Sequence, residues 1–226
     1  MTISQFRQLA AYNRWANARL YAAALDLSDR AYRLDIGVSF GSLHGTLNYL
    51  LLTDRLWLRR LTGEGDQPDR LDAILYEDRV ELTQARIDED NRLMAVVDQY
   101  DETTLANLHG YKTTSGMPQS QVLADILWHL FHHQTHHRGQ AHACLSILTG
   151  GEPPSLDLLV FQRGGTCPDL KTLIRRVERI VCRCVANFQL CSAPSLPPAW
   201  DNVPPRALFS LRQSVFEFST DFAGSV

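Results

Sequence analysis

The stretch WHLFHHQTHHRGQAH, residues 128–142, carries six of the eight histidines of the chain. Its reading turns on which of them face inward. Leu123, Ile126, Leu127, Leu130, Ala141, Cys144, Leu145 and Leu148 recur at helical spacing, which predicts a helix from about Ser120 to Leu148. Unrolled at about 100° per residue from Leu130, these apolar positions all fall within about 60° of it. His137 lies on that arc at about −20° and His133 at about −60°, while His132 and His136 fall at about 200° and −120°, toward solvent. His129 flanks the arc at about −100°, near Gln140 at about −80°.

Three more helical patterns precede this one. The first runs from about Ile3 to Leu25 and stops near Leu27-Ser28. The second starts after the turn Ser39-Phe40-Gly41-Ser42, with Ser42 as N-cap, and ends before Gly63. The third is expected from about Leu71 to Tyr100 and is rich in charge, so it buries one stripe and wets the rest. Between His109 and Gln119 the pattern breaks at Gly110, Gly116 and Pro118, which predicts a loop or a short extended excursion. Gly150-Gly151-Glu152-Pro153-Pro154 closes the last long helix. Four helices joined in this way predict an all-α four-helix bundle over residues 1–163. Residues 164–226 read as a C-terminal appendage, with a helix expected over about 168–189 and disorder in the proline-rich remainder.

Composition sets outer limits. The chain has 226 residues, 45% hydrophobic and 21% charged, with a net charge of −3, the balance of a soluble globular protein. No basic stripe tracks a nucleic-acid backbone, so nucleic acid is not an expected partner. No stretch approaches the roughly 18 continuous apolar residues of a membrane span. The first residues, MTISQFRQLAAYNRWANARL, show helical periodicity rather than a secretory signal, and the cytoplasm is the expected compartment. The five cysteines form no paired C-x-x-C, so reduced thiols are expected rather than a zinc site around Cys182 and Cys184.

Neutral imidazole is a common ligand for zinc, nickel, copper and iron. Among the histidine pairs four apart, only His133 and His137 sit wholly on the inferred core side, one turn apart on one face. A third ligand should come from another element, and the chain offers His44 on the second helix or His109 in the broken segment. His44 is the better candidate, because a helix fixes a ligand more firmly than a loop. The plainer alternative is that His133 and His137 are core histidines satisfied by hydrogen bonds. A metalloprotease is excluded, since position 134 is Gln where that chemistry needs Glu. Three histidines would leave coordination positions open for water or substrate. Gln140 and His129 are candidates to tune such a centre, and Gly139 to allow a close helix approach. Asp54 falls mid-arc on the second helix among leucines, about 15 Å along the axis from His44. A buried carboxylate needs a partner, so an Arg or Trp N–H from another helix is expected there, ahead of a role as catalytic base. No catalytic residue is assigned.

Three segments together resemble the DinB-like superfamily: YNRWANARL in the first helix, LHGTLNYLLLTDRLWLRRLTG in the second, and HHQTHHRGQ in the fourth. The resemblance spans about residues 3–163 and does not extend to the appendage. It concerns the damage-inducible family, not the DNA polymerase that shares the name. It implies a four-helix bundle, often a homodimer, binding a divalent metal (zinc, nickel, or iron or manganese) through His44, His133 and His137. It further implies relatives that are thiol-dependent S-transferases, using a low-molecular-weight thiol against a small electrophile, or a related isomerase. The alternative function is a non-enzymatic metal-binding protein of the stress response.

Overall fold

The computed structural model describes residues 1–66, 68, 70–169, 171, 172, 174 and 175. Its elements in chain order are α1 (Ile3–Leu25), α2 (Asp29–Arg33), α3 (Leu43–Thr62), α4 (Arg79–Asp98), α5 (Glu102–Leu105), β1 (Leu108–Lys112), β2 (Pro118–Val122), α6 (Leu123–Thr149) and α7 (Leu158–Gln162). The four long helices form the bundle. α1 and α3 each pack against both α4 and α6, so they occupy opposite corners of its cross-section.

Local chemistry sets most of the ends. Thr2 and Gln5 form a capping box at the start of α1, satisfying amides that have no partner within the helix. The Ser42 hydroxyl accepts from the Gly45 amide at 3.1 Å to open α3. Gly63 closes α3 with φ of 77°, a left-handed conformation that glycine adopts without a side-chain clash.

Two helix starts are corrected. The third helix begins at Arg79 rather than near Leu71, and ends at Asp98. The amides of Leu75 and Tyr76 donate to Asn48 Oδ1 at 2.9 Å each, which holds that segment on α3 until Asp78 caps the helix. The broken segment takes the extended one of its two expected forms, a β-hairpin with Leu108–Lys112 antiparallel to Pro118–Val122. Residues 120–122 pair in β2, so the last long helix begins at Leu123 rather than Ser120. The short helices α2, α5 and α7 are additions to the sequence reading.

Among the described residues the core has two large apolar clusters with a polar layer between them, and a smaller one of Tyr12, Trp15 and Ala16. At one end Phe6, Ala10, Trp57, Leu58, Leu93, Val97, Leu127 and Phe131 pack together. At the other end are Leu20, Tyr21, Leu43, Leu47, Leu50, Leu82, Ala141 and Leu145. Between them, every long helix contributes buried polar residues: Asn13 and Asn17 from α1, Asp54 from α3, Arg86 and Asp90 from α4, and Gln134 and Arg138 from α6. The two carboxylates and two guanidinium groups balance one another. Asp54 and Asp90 pair with Arg86 at 2.8 and 3.0 Å, and Asn17 donates to Asp90 at 2.9 Å. Arg138 donates to Asn13. The carboxylates thus share an ion-pair partner and Arg138 has a hydrogen-bond acceptor, as burial of such groups requires.

No helix among the described residues is long and apolar enough to cross a membrane. The start of the appendage rests on α1, where Trp15 Nε1 donates to the Gly165 carbonyl at 3.0 Å and Arg19 donates to that of Thr166 at 3.0 Å. Most of the helix expected over 168–189 lies outside the described residues, as do Cys182, Cys184, Cys191 and the proline-rich run. Of the other two cysteines, Cys144 is buried and Cys167 exposed, and both are free thiols.

Candidate metal centre

His133 and His137 stand one turn apart on α6 with ring centroids 4.4 Å apart. Neither lies in the core. They occupy the half-buried rim of α6, while Phe131, Gln134, Arg138 and Ala141 occupy its buried face. The arc read from apolar periodicity is therefore rotated from the true one. Gln134 and Arg138 are buried polar residues, and a count of apolar positions cannot find them. His132 and His136 are exposed, as their angles predict.

α3 runs antiparallel to α6, with Trp57 against His129, Leu50 and Asp54 against Gln134, and Tyr49 against His133 and His137. This register brings the Tyr49 hydroxyl to 3.3 Å from His133 Nε2. The Tyr49 ring meets that of His137 edge to face at 4.7 Å and is stacked on Phe40 at 4.0 Å. Phe40 also meets His137 at 5.7 Å. Gln140 Oε1 lies 2.8 Å from His137 Nδ1. An amide oxygen only accepts, so this bond places the proton on Nδ1 and leaves Nε2 of His137 with a free lone pair. Gln140 thus acts on the histidine as an acceptor, and its amide nitrogen lies 3.2 Å from His136 Nε2. His129 lies on Trp57 at 5.1 Å and faces His133 at 5.7 Å.

The electrostatics favour neutral rings. Burial holds His133 well below the usual imidazole range, and His137, His129 and His136 push it the same way. Burial lowers His137 to about 4, partly offset by its bond to Gln140. Burial and Arg60 also lower His129. Neutral imidazole is the form that ligates a metal. Burial pushes the Tyr49 phenol up to about 12.

His44 is elsewhere. It is 6% exposed, with Nε2 3.0 Å from the Tyr76 carbonyl and Nδ1 3.5 Å from Arg33. Its ring lies against Tyr32 at 5.2 Å. Among the described residues, no three His, Cys, Asp or Glu side chains are arranged to hold a metal ion. The structure thus brings His133 and His137 together and does not bring His44 to them. A three-histidine centre does not fit this geometry, whereas a histidine pair joined by the Tyr49 oxygen is present. His109, the other candidate, has Nε2 2.8 Å from the Arg60 carbonyl.

Asp54 pairs with Arg86 of α4, the structural partnership expected for a buried carboxylate, and Gln134 donates to its other oxygen. Sequence reasoning missed Tyr49, which passes for a core aromatic. The signal that identifies it is the α3–α6 register, which side-chain chemistry sets through Gln134. A cavity of about 320 Å³ opens between the end of α3 and the hairpin, lined in part by Arg59, Arg60, Tyr111 and Lys112. Arg60 lies over Trp57 at 4.6 Å, so this cationic wall adjoins the ring that carries His129.

No curated protein and no solved structure matches the chain. The family model of DinB does match, over residues 1–169. That span takes in all four long helices, the hairpin and α7. On that match, the chain belongs to the DinB family.

Proposed function

We propose that this protein binds a divalent metal ion at His133 and His137 and acts as a metal-dependent enzyme of the thiol S-transferase type on a small electrophile. The observation that carries the reading is the pair itself: two neutral imidazoles one turn apart, with the proton of one fixed by Gln140. A carboxamide or carbonyl behind a ligating histidine is the usual way to fix its tautomer and raise its basicity. An ion held there would supply a Lewis-acidic site at which a low-molecular-weight thiol is kept as its nucleophilic thiolate. The protein's own contribution is to hold the two rings and to wall the pair with Phe40 and Tyr49. The cationic cavity beside Trp57 would take an anionic part of the thiol or electrophile. Zinc, nickel, iron and manganese are all candidates, and a homodimer is the expected assembly by family likeness.

The test is elemental analysis of protein purified without a histidine tag, beside His137→Ala. About one equivalent of metal, lost in the variant, supports the site and calls for a screen of thiols and electrophiles on that metal form. No metal after reconstitution with each candidate ion would overturn the reading. Stoichiometric metal with no thiol-dependent loss of any electrophile would leave a non-enzymatic metal-binding protein.

A further inference from the structure

We propose that Tyr49 is the third protein donor of this centre, so that the site offers two imidazole nitrogens and one phenolic oxygen in place of three histidines. The inference rests on the metal reading above and concerns which residues complete it.

The spacing fits a shared ion. Two ligands on one tetrahedral ion, with bonds of about 2.0–2.1 Å, lie about 3.3–3.4 Å apart. The Tyr49 oxygen and His133 Nε2 are 3.3 Å apart. The ring is also held in place, stacked on Phe40 at 4.0 Å and set against His137 at 4.7 Å. A donor immobilised before the ion arrives loses little freedom on binding.

Helix geometry excludes His44 from the same role. It precedes Tyr49 by five residues, about 7.5 Å along the axis and roughly 140° around it. Its ring is engaged on the opposite side of α3, by the Tyr76 carbonyl and Arg33. Asn48 anchors that segment, accepting from the amides of Leu75 and Tyr76. Turning His44 toward α6 would require release of these bonds and rotation of α3.

The donor set has a consequence for the metal. A phenolate is a hard, anionic oxygen ligand, and oxygen donors suit harder ions than an all-imidazole set does. The site should therefore accept ferric iron, and a phenolate on ferric iron gives an intense visible charge-transfer absorption that imidazoles do not.

The experiment uses the full chain loaded with ferric iron from its nitrilotriacetate chelate, and separately with zinc. Four proteins are compared: wild type, Tyr49→Phe, His44→Ala and His137→Ala. Tyr49→Phe removes one oxygen and keeps the stacked ring, so the fold should be retained, with circular dichroism as the control. The expected result is a visible band in wild type and His44→Ala, absent in Tyr49→Phe, whose zinc affinity falls at least about tenfold. Metal bound by wild type, lost in His137→Ala but unchanged in Tyr49→Phe, would overturn the Tyr49 assignment and leave the metal reading standing. Loss of metal in His44→Ala alone would also overturn it. Failure of wild type to bind either ion would remove the metal reading, and the Tyr49 assignment with it.

Discussion

Arg86 of α4 reaches Asp54 of α3 at 2.8 Å, and both side chains are sealed from solvent at 0% and 1% exposure. Arg86 also holds Asp90, four residues further along its own helix, at 3.0 Å. One guanidinium therefore serves two buried carboxylates at the centre of the bundle. Removing it would strand both in a medium of low polarity. Arg86→Met should cost about 3–5 kcal/mol of stability, measured by urea denaturation. By contrast Arg70, paired with Asp72 on the surface, should be replaceable by Ala with no measurable change. A small effect from Arg86→Met would mean that the polar layer is hydrated or rearranges freely.

How much of this was legible in the sequence depends on the kind of residue. α1 and α3 could be bounded almost to the residue, because Thr2, Ser42 and Gly63 mark ends by chemistry that acts locally. The start of α4 could not, because what keeps Leu75 and Tyr76 out of the helix is the side chain of Asn48, more than twenty-five residues away. The histidine pair was legible from its four-residue spacing. Its depth was not, since the buried face of α6 includes Gln134 and Arg138, whose partners Asp54 and Asn13 lie on other helices. Which residue of α3 faces the pair was not legible for a related reason. A histidine advertises ligation in a sequence and a tyrosine does not, and only the α3–α6 register shows that position 49, not position 44, lies beside His133.

Two glycines give opposite forecasts for the same substitution. A Cβ on Gly45 would fall 2.1 Å from the carbonyl oxygen of Phe40, so the turn carrying Phe40 must move. Gly45→Ala should therefore destabilise by about 1–3 kcal/mol. It should also weaken metal binding, because Phe40 is the ring on which Tyr49 stacks. Gly139 is exposed on α6, and a Cβ there would meet nothing within 4 Å. It is thus no close-approach glycine, contrary to the sequence reading. Gly139→Ala should stabilise by roughly 0.5–1 kcal/mol, the helix-propensity gain. Thermal denaturation of both variants checks the pair; two shifts of the same sign would contradict the packing assigned to Gly45 or the open space at Gly139.

Acid should undo the metal-free protein through the same histidines. In the folded state burial lowers His137 to about 4 from an ordinary value of 6.5, and lowers His133 as well. Between those limits the unfolded chain binds protons that the folded chain refuses, so stability rises with pH across the window. The contribution is present in full above about pH 6.5 and is lost as pH falls through about 4. For His137 it amounts to roughly 3 kcal/mol at most. The measurement is urea denaturation of chelator-treated protein between pH 4 and 7.5, beside His137→Asn, which keeps a polar side chain but does not titrate there. Wild type should lose stability steeply on acidification, and the variant should show a shallower slope. Bound metal should steepen the loss further, because protons and the ion compete for the same nitrogens. Equal slopes in wild type and variant would show that His137 is as exposed to water as in the unfolded chain, and would remove the electrostatic case for a neutral pair.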